Sequence, residues 1–229
     1  MLKVALAAEE KAGARVMTWW DGEGAARVLA HDDDAILLER AEETVSLADM
    51  VHGGHDSEAS RIICAVVTKL HSPKAKPPPS LVPLTRWFQE LDQAAATHGG
   101  VLAISASAAH ELLAVPRDVG VLHGDIHHGN ILNFGERGWL AIDPKGLVGE
   151  RTFDYANLFC NPDHATATAA GRLSQQIHVV ADAVGLERGR LLRWILAWAG
   201  LSVAWHLKDG ARPQTALRVA NIAAAALKA

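Results

Sequence analysis

Apolar residues along this chain switch between alternating and helical spacing, and the switches mark its elements. Met1-Leu2-Lys3-Val4-Ala5-Leu6 predicts a strand, and Ala7 to Trp20 predicts a helix with Ala12, Val16 and Trp19 or Trp20 at helical intervals. Ala25 to Ala30 and Ala35 to Glu39 predict a hairpin turning through His31-Asp32-Asp33-Asp34. Beyond it the pattern is largely helical. Thr44 to Val51 predicts a short helix broken by His52-Gly53-Gly54, and Glu58 to Leu70 a buried one capped near Asp56 or Ser57. Ser72 to Pro83, with Pro73, Pro77, Pro78, Pro79 and Pro83, predicts a stiff extended connector. Leu84 to Thr97 and Ser105 to Val115 predict further helices, the first placing Trp87, Phe88 and Leu91 in the core.

A non-helical stretch then interrupts the run. Val121-Leu122 reads as a strand, and Ile131 to Phe134 and Trp139 to Ile142 read as a hairpin around Gly135-Glu136-Arg137-Gly138. Asn130 enters that hairpin and Asp143 leaves it. Paired strands lie about 4.8 Å apart, so the two side chains can face one small volume, which Asp125 can border. An amide oxygen and a carboxylate converging on one point suit a hard cation that keeps several waters, magnesium better than zinc. A third carboxylate beside them can take a proton or orient a hydroxyl. Those are the parts phosphoryl transfer needs. Singly, Asp125 could cap a turn, Asn130 could be a turn residue and Asp143 could end a strand; the spaced set is what points to chemistry. His123, His127 and His128 lack the spacing of a zinc-binding His-Glu-x-x-His helix, so His123 reads as an anchor for the backbone and the other two as loop residues.

After Pro144, Lys145 to Arg151 reads as a glycine-punctuated loop whose two basic residues reach phosphate, an acidic neighbour or solvent. Thr152 to Phe159 predicts a helix with Asp154 near its first turn, where unpaired backbone donors favour a carboxylate. Ala169 to Val184, Glu187 to His206 and Pro213 to Leu227 complete a helical end. Leu191, Trp194, Ile195, Trp198, Leu201 and Trp205 share a helical period and read as core first, substrate platform second.

Composition narrows the partners. At 229 residues the chain has room for one large domain or a domain plus a small lobe. A net charge of -4 without a basic block argues against nucleic acid and is compatible with a cationic small substrate. Glu150, Asp163, Asp182 and Asp209 are candidates to receive such a cation. Cys64 and Cys160 lie far apart in apolar helical surroundings and read as reduced thiols. With no signal peptide or membrane-length apolar run read, the expected location is cytoplasmic, where ATP and magnesium are available.

At the central stretch the chain resembles a known family. His123-Gly124-Asp125-Ile126-His127-His128-Gly129-Asn130, followed by Ile142-Asp143-Pro144, is similar to the catalytic loop and metal-binding aspartate of the aminoglycoside phosphotransferases, small relatives of the protein kinases. The longer run through Glu150-Arg151 resembles the branch containing streptomycin 6-kinases and hydroxyurea phosphotransferases. The resemblance implies an α+β, protein-kinase-like fold: residues 1–43 as a shortened small lobe for the nucleotide, and 44–229 as a larger, mainly helical lobe for catalysis and substrate. It implies ATP and Mg2+ as cofactors, and transfer of phosphate to an alcohol group of a small molecule, an aminoglycoside of the streptomycin type. By the same resemblance Asp125 is the catalytic base, Asn130 and Asp143 hold magnesium, and Asp154 in Phe153-Asp154-Tyr155 is a buried brace. Lys3 contacts the nucleotide phosphates with Glu10, favoured over Glu9, as its partner, and Leu37-Leu38-Glu39-Arg40 is the hinge whose backbone holds adenine.

The sequence also departs from that family. A kinase small lobe carries two strands and a glycine-rich loop ahead of its lysine, and only two residues precede Lys3 here. Asp21-Gly22-Glu23-Gly24 lacks the third glycine and lies between helix and strand, so it reads as a turn. The expectation divides accordingly: a fragment or late-start product of a longer gene, or a protein working with a reduced lobe. Two further readings follow. One is a remnant that binds ligand or partner without transferring phosphate; the other, ranked lower, is a metal-dependent hydrolase using His123, His127, His128 and Asp125.

Overall fold

Near the amino end a single polar residue stands between two apolar ones, and strand pleating sorts them. β1 (Leu2–Val4) pairs antiparallel with β3 (Ala35–Leu38), Lys3 lying opposite Ile36, and β2 (Val28–His31) pairs with the other edge of β3 through a bulge between Val28 and Ala30. Leu2 and Val4 are exposed while Lys3 is half-buried, as a two-residue period requires. Helix α1 (Ala8–Trp20) buries Val16, Met17 and Trp20 in the same core as Ile36 and Leu38. The computed structural model describes residues 1–4, 8–32, 34–42 and 45–228. Ala5, Leu6, Ala7, Asp33, Glu43, Thr44 and Ala229 lie outside the described residues, and with them the end of the first expected strand, the tip of the hairpin turn and the expected lobe boundary.

Most of the remaining chain is helical. α2 (Leu47–His52) opens with a capping box between Ser46 and Asp49, and α3 (Asp56–Leu70) and α8 (Arg172–Val184) are joined by Ser60 Oγ donating to Gln176 Oε1 at 2.9 Å and by Arg172 on Asp56 at 2.7 Å. The central element is α9 (Arg188–Lys208), buried continuously from Trp194 to Ala204. A helix apolar on every side can only be enclosed. α5 (Gln89–His98), α6 (Val101–Ala114) and α10 (Gln214–Ala226) pack around it, and α7 (His164–Ala167) is one short turn. Among the described residues no helix is long and apolar enough to cross a membrane.

Two small sheets bridge the layers. β5 (Val119–Leu122) runs antiparallel to β8 (Leu147–Glu150), which pairs in parallel with β4 (Val82–Pro83); β6 (Ile131–Asn133) and β7 (Trp139–Ala141) form the expected hairpin, with Ile131 opposite Ala141.

Several expectations need correction. The stretch 145–151 is not a loop: Leu147 to Glu150 is the central strand of its sheet, because Leu147 and Glu150 are buried and the pairing partners are distant in sequence. Thr152 to Phe159 is not one helix but two 3-10 turns, Arg151–Tyr155 and Asn157–Cys160, wound tightly by bonds such as Ala156 N–H to Phe153 O. The helix expected from Leu84 divides at Phe88 into α4 (Leu84–Trp87) and α5. Trp87 is half-buried beside a cleft, whereas Phe88 and Leu91 are core. α3 begins after His55, which makes no side-chain cap, so neither Asp56 nor Ser57 is the cap.

Candidate active site

β5 ends at Leu122, and the chain must then turn sharply with its amides unpaired by any strand. Asp154 supplies the missing acceptors. Its Oδ1 takes the Gly124 N–H at 2.7 Å and its Oδ2 takes the His123 N–H at 2.9 Å, with His71 Nε2 on the same oxygen at 2.8 Å. The side chain is fully buried, so each of these bonds satisfies a group that water cannot reach. The expected helix N-terminus plays no part; Asp154 binds the amides of another segment. Gly124 sits at φ 85°, and a Cβ there would come within 2.7 Å of Leu147, so the turn is built for glycine.

His123 locks the loop to the strand beside it. The Asp125 N–H donates to its Nδ1 at 3.2 Å, so its proton is on Nε2, which donates to Ile142 O at 2.8 Å. Burial holds this imidazole below its ordinary pKa, against the opposing influence of Asp154 and Asp125, which keeps it in that neutral form. Trp20 stacks on the ring and anchors its own Nε1 on Leu70 O at 3.2 Å.

Around that frame the expected residues meet. Asn130 Nδ2 donates to Asp125 O at 2.9 Å and lies 3.4 Å from Asp125 Oδ2, while Asn130 O accepts the Ile142 N–H at 2.9 Å, directly before Asp143. With its NH2 committed to Asp125, the atom of Asn130 left to hold a cation is its Oδ1. Asp143 adopts φ 68°, a left-handed conformation uncommon for a non-glycine residue, and its carboxylate forms an ion pair with Lys3. Glu10 Oε1 lies 3.7 Å from the same ammonium. The Glu39 N–H donates to Arg27 O at 3.0 Å, and its carboxylate accepts from Arg27 N–H and pairs with Arg137, so its side chain is a tie between segments while its carbonyl makes none of these contacts.

Sequence reasoning missed two contacts. His71 lies 83 residues from Asp154, and Asn157 Nδ2, donating to Asp125 Oδ1 at 2.8 Å, lies 32 residues from its partner. Lys145 is settled toward an acidic neighbour, 3.6 Å from Asp125 Oδ2, and Arg151 likewise toward Asp118 at 3.1 Å. His127 accepts the Gly129 N–H on Nδ1. His128 is enclosed, and burial, then the Arg172 charge, pull its pKa down to about 4. Among the described residues no group of three or more His, Cys, Asp and Glu side chains is placed to hold a metal. The donor pair at Asn130 and Asp143 instead fits a hard ion that retains water. Both thiols are reduced, and burial pushes each up to about 12.

Asp125 opens into a cleft of about 1170 Å³, with Asn157 and Asn161 beside it and Trp87, Trp198 and Trp205 along one wall. Of the acidic candidates only Asp209 lines this cleft, together with Glu9, weighed in the sequence only as a partner of Lys3, and Glu90. Glu150 is buried against Arg190 and Trp194, Asp163 caps α7 and meets His52, and Asp182 pairs with Arg188, so these three are structural.

Comparison with known proteins converges on the same chemistry. The model of a family described as aminoglycoside/hydroxyurea antibiotic resistance kinase matches residues 1–210. The chain is 54% identical over 215 residues to a streptomycin 3''-kinase of Klebsiella pneumoniae, covering 92% of this chain and 80% of that one. It is 31% identical over 239 residues to a streptomycin 6-kinase of Streptomyces griseus, covering 98% and 75%. A solved aminoglycoside phosphotransferase from Streptomyces rimosus, in complex with ADP and streptomycin, shares the fold with a TM-score of 0.57 at 19% identity, over 84% of this chain and 80% of that one. A kinase-like fold in which Asn130 ties Asp125 to the strand end before Asp143 thus accompanies a match along nearly the whole sequence, and the chain belongs to the aminoglycoside/hydroxyurea antibiotic resistance kinase family.

Proposed function

We propose that this protein transfers the γ-phosphate of ATP to a hydroxyl of a streptomycin-type aminoglycoside, with Asp125 as the base that receives the hydroxyl proton. The observation that carries this reading is the junction of Asn130, whose side chain binds Asp125 while its backbone pairs with the residue before Asp143. A positioned base typically contributes about 10²–10⁴ in rate. Asn130 Oδ1 and the Asp143 carboxylate would hold magnesium, which when bound neutralises charge on the phosphates. Lys3, held between Asp143 and Glu10, would contact the same phosphates. The division into a nucleotide lobe over 1–43 and a catalytic lobe over 44–229 belongs to this proposal, as does adenine binding by backbone groups of the hinge from Glu39. At Glu39 that contact falls to the carbonyl, since its N–H already serves Arg27.

The acceptor follows from the cleft and from the relatives. Aromatic walls with Glu9 and Asp209 suit a cationic, hydroxyl-rich molecule. Identity of 54% to a streptomycin 3''-kinase favours the 3'' hydroxyl over the 6 position. Incubation with streptomycin and ATP, followed by phosphorus and proton NMR of the product, tests this: a phosphate ester on the 3'' oxygen is expected, and a 6-phosphate or no ester would overturn it.

A further inference from the structure

Asn157 is 4% exposed, and a buried amide must find partners for both of its ends. Its Nδ2 donates to Asp125 Oδ1 at 2.8 Å, and its Oδ1 accepts from Asn161 Nδ2 at 2.8 Å. Asn161 Nδ2 also donates to the Asn157 carbonyl at 2.9 Å, which ties the second amide to the same turn of backbone. Turning the Asn157 amide end for end would set its oxygen against the Asp125 carboxylate and its NH2 against the NH2 of Asn161. Both contacts are repulsive, so the pair admits one orientation.

We infer that Asn157 and Asn161 form an amide relay that positions Asp125 for phosphoryl transfer, holding its Oδ1 and presenting Oδ2 to the acceptor hydroxyl. This rests on the reading of Asp125 as the base. The neighbours of Oδ2 are more distant, Asn130 Nδ2 at 3.4 Å and Lys145 Nζ at 3.6 Å, so Oδ2 is the oxygen less committed to the protein. In the transfer the acceptor oxygen bonds to the γ-phosphorus of ATP as the bond to the ADP oxygen breaks, and the hydroxyl proton passes to Oδ2. Asn157 and Asn161 are positioning residues. Neither has to touch the reacting atoms, and Asn161 acts only through Asn157.

The test is a double-mutant cycle on the full chain with ATP and streptomycin. Asn157→Leu keeps the volume and removes the donor. Its kcat should fall about 10- to 100-fold, the scale of a misplaced catalytic group, with KM for ATP changed less than about twofold. Asn161→Leu should lower kcat about 10-fold by freeing the Asn157 amide to rotate. In an Asp125→Asn background the Asn157→Leu change should cost less than about twofold, because the group it positions is already gone. Wild-type kcat in Asn157→Leu would overturn the inference, and so would an equal loss in both backgrounds, which would mean action through the fold. Should Asn157→Leu fail to fold, Asn161→Leu carries the same cycle from a half-buried position. If Asp125→Asn alone keeps wild-type turnover, the base assignment falls first and the relay with it; if Asp125→Asn is dead and both leucine variants are active, only the relay falls.

Discussion

Glu150 is almost fully buried, and its carboxylate accepts from Arg190 Nε at 2.6 Å, Trp194 Nε1 at 2.8 Å and the Arg117 N–H at 2.9 Å. Burial would push this carboxyl up, yet the Arg190 hydrogen bond, the Arg117 amide, the Trp194 indole and the Arg190 charge together outweigh it and hold it below the ordinary carboxylate value. A carboxyl lowered in the fold binds its proton more readily when unfolded. Its contribution to stability is therefore present above the unfolded pKa and lost as pH falls through the folded one. Glu150→Gln should cost about 3 kcal/mol, by leaving Arg190 without its counter-charge, and should flatten the loss of stability below about pH 4.5. Equal pH slopes for both proteins in urea denaturation would contradict this. In the sequence Glu150 looked like a ligand for a cationic acceptor, since partners 33, 40 and 44 residues away leave no local trace. The nearness of Asn130 to the end of the strand before Asp143 was legible for the opposite reason, because one short hairpin lies between them, with Asp125 five residues ahead. His71 and Asn157 were not, being brought in by elements elsewhere in the chain.

Helix α1 and the segment after Asp143 touch backbone to backbone. A Cβ on Gly13 would meet the Pro144 carbonyl at 2.0 Å, and one on Gly146, at φ 70°, would meet Ala12 at 2.8 Å. The same helix carries Glu10 toward Lys3, so its seating and the position of Asp143 are one problem. Gly13→Ala should force helix and segment apart, costing about 1–3 kcal/mol. KM for ATP should rise severalfold while KM for the acceptor moves less. An unchanged KM for ATP in a destabilised variant would show that the contact serves packing alone. Helical periodicity found α1, α3 and α9 because each presents a long repeating pattern. It failed at β8, where glycines suggested a loop and only pairing with β4 and β5 makes a strand. It failed again at 151–160, where the chain winds into 3-10 turns that keep the period of neither helix nor strand.

On the scale of the whole molecule the Lys3–Asp143 ion pair joins the small sheet to the segment after the β6–β7 hairpin, and the proposed nucleotide site lies across that joint. A ligand seated there should stabilise both at once. Magnesium and a non-hydrolysable ATP analogue at about 100 times Kd should add about 2.7 kcal/mol, a rise in Tm of roughly 5–10 °C for a chain of this size. Asp143→Asn should lose most of that shift, and a full shift in the variant would remove Asp143 from the metal site. The fold class was readable because the stretch from His123 to Pro144 resembles that of the aminoglycoside phosphotransferases, and the resemblance implies their fold. The acceptor cleft was not, since its walls come from α1, the 80–90 segment and α9. The account turns on Asp125, and the direct measurement is transfer of radiolabel from γ-labelled ATP to streptomycin by wild-type protein and by Asp125→Ala. Label should move with the wild type, and with the correctly folded variant it should fall by at least about 10²-fold. Undiminished transfer by Asp125→Ala would contradict the account.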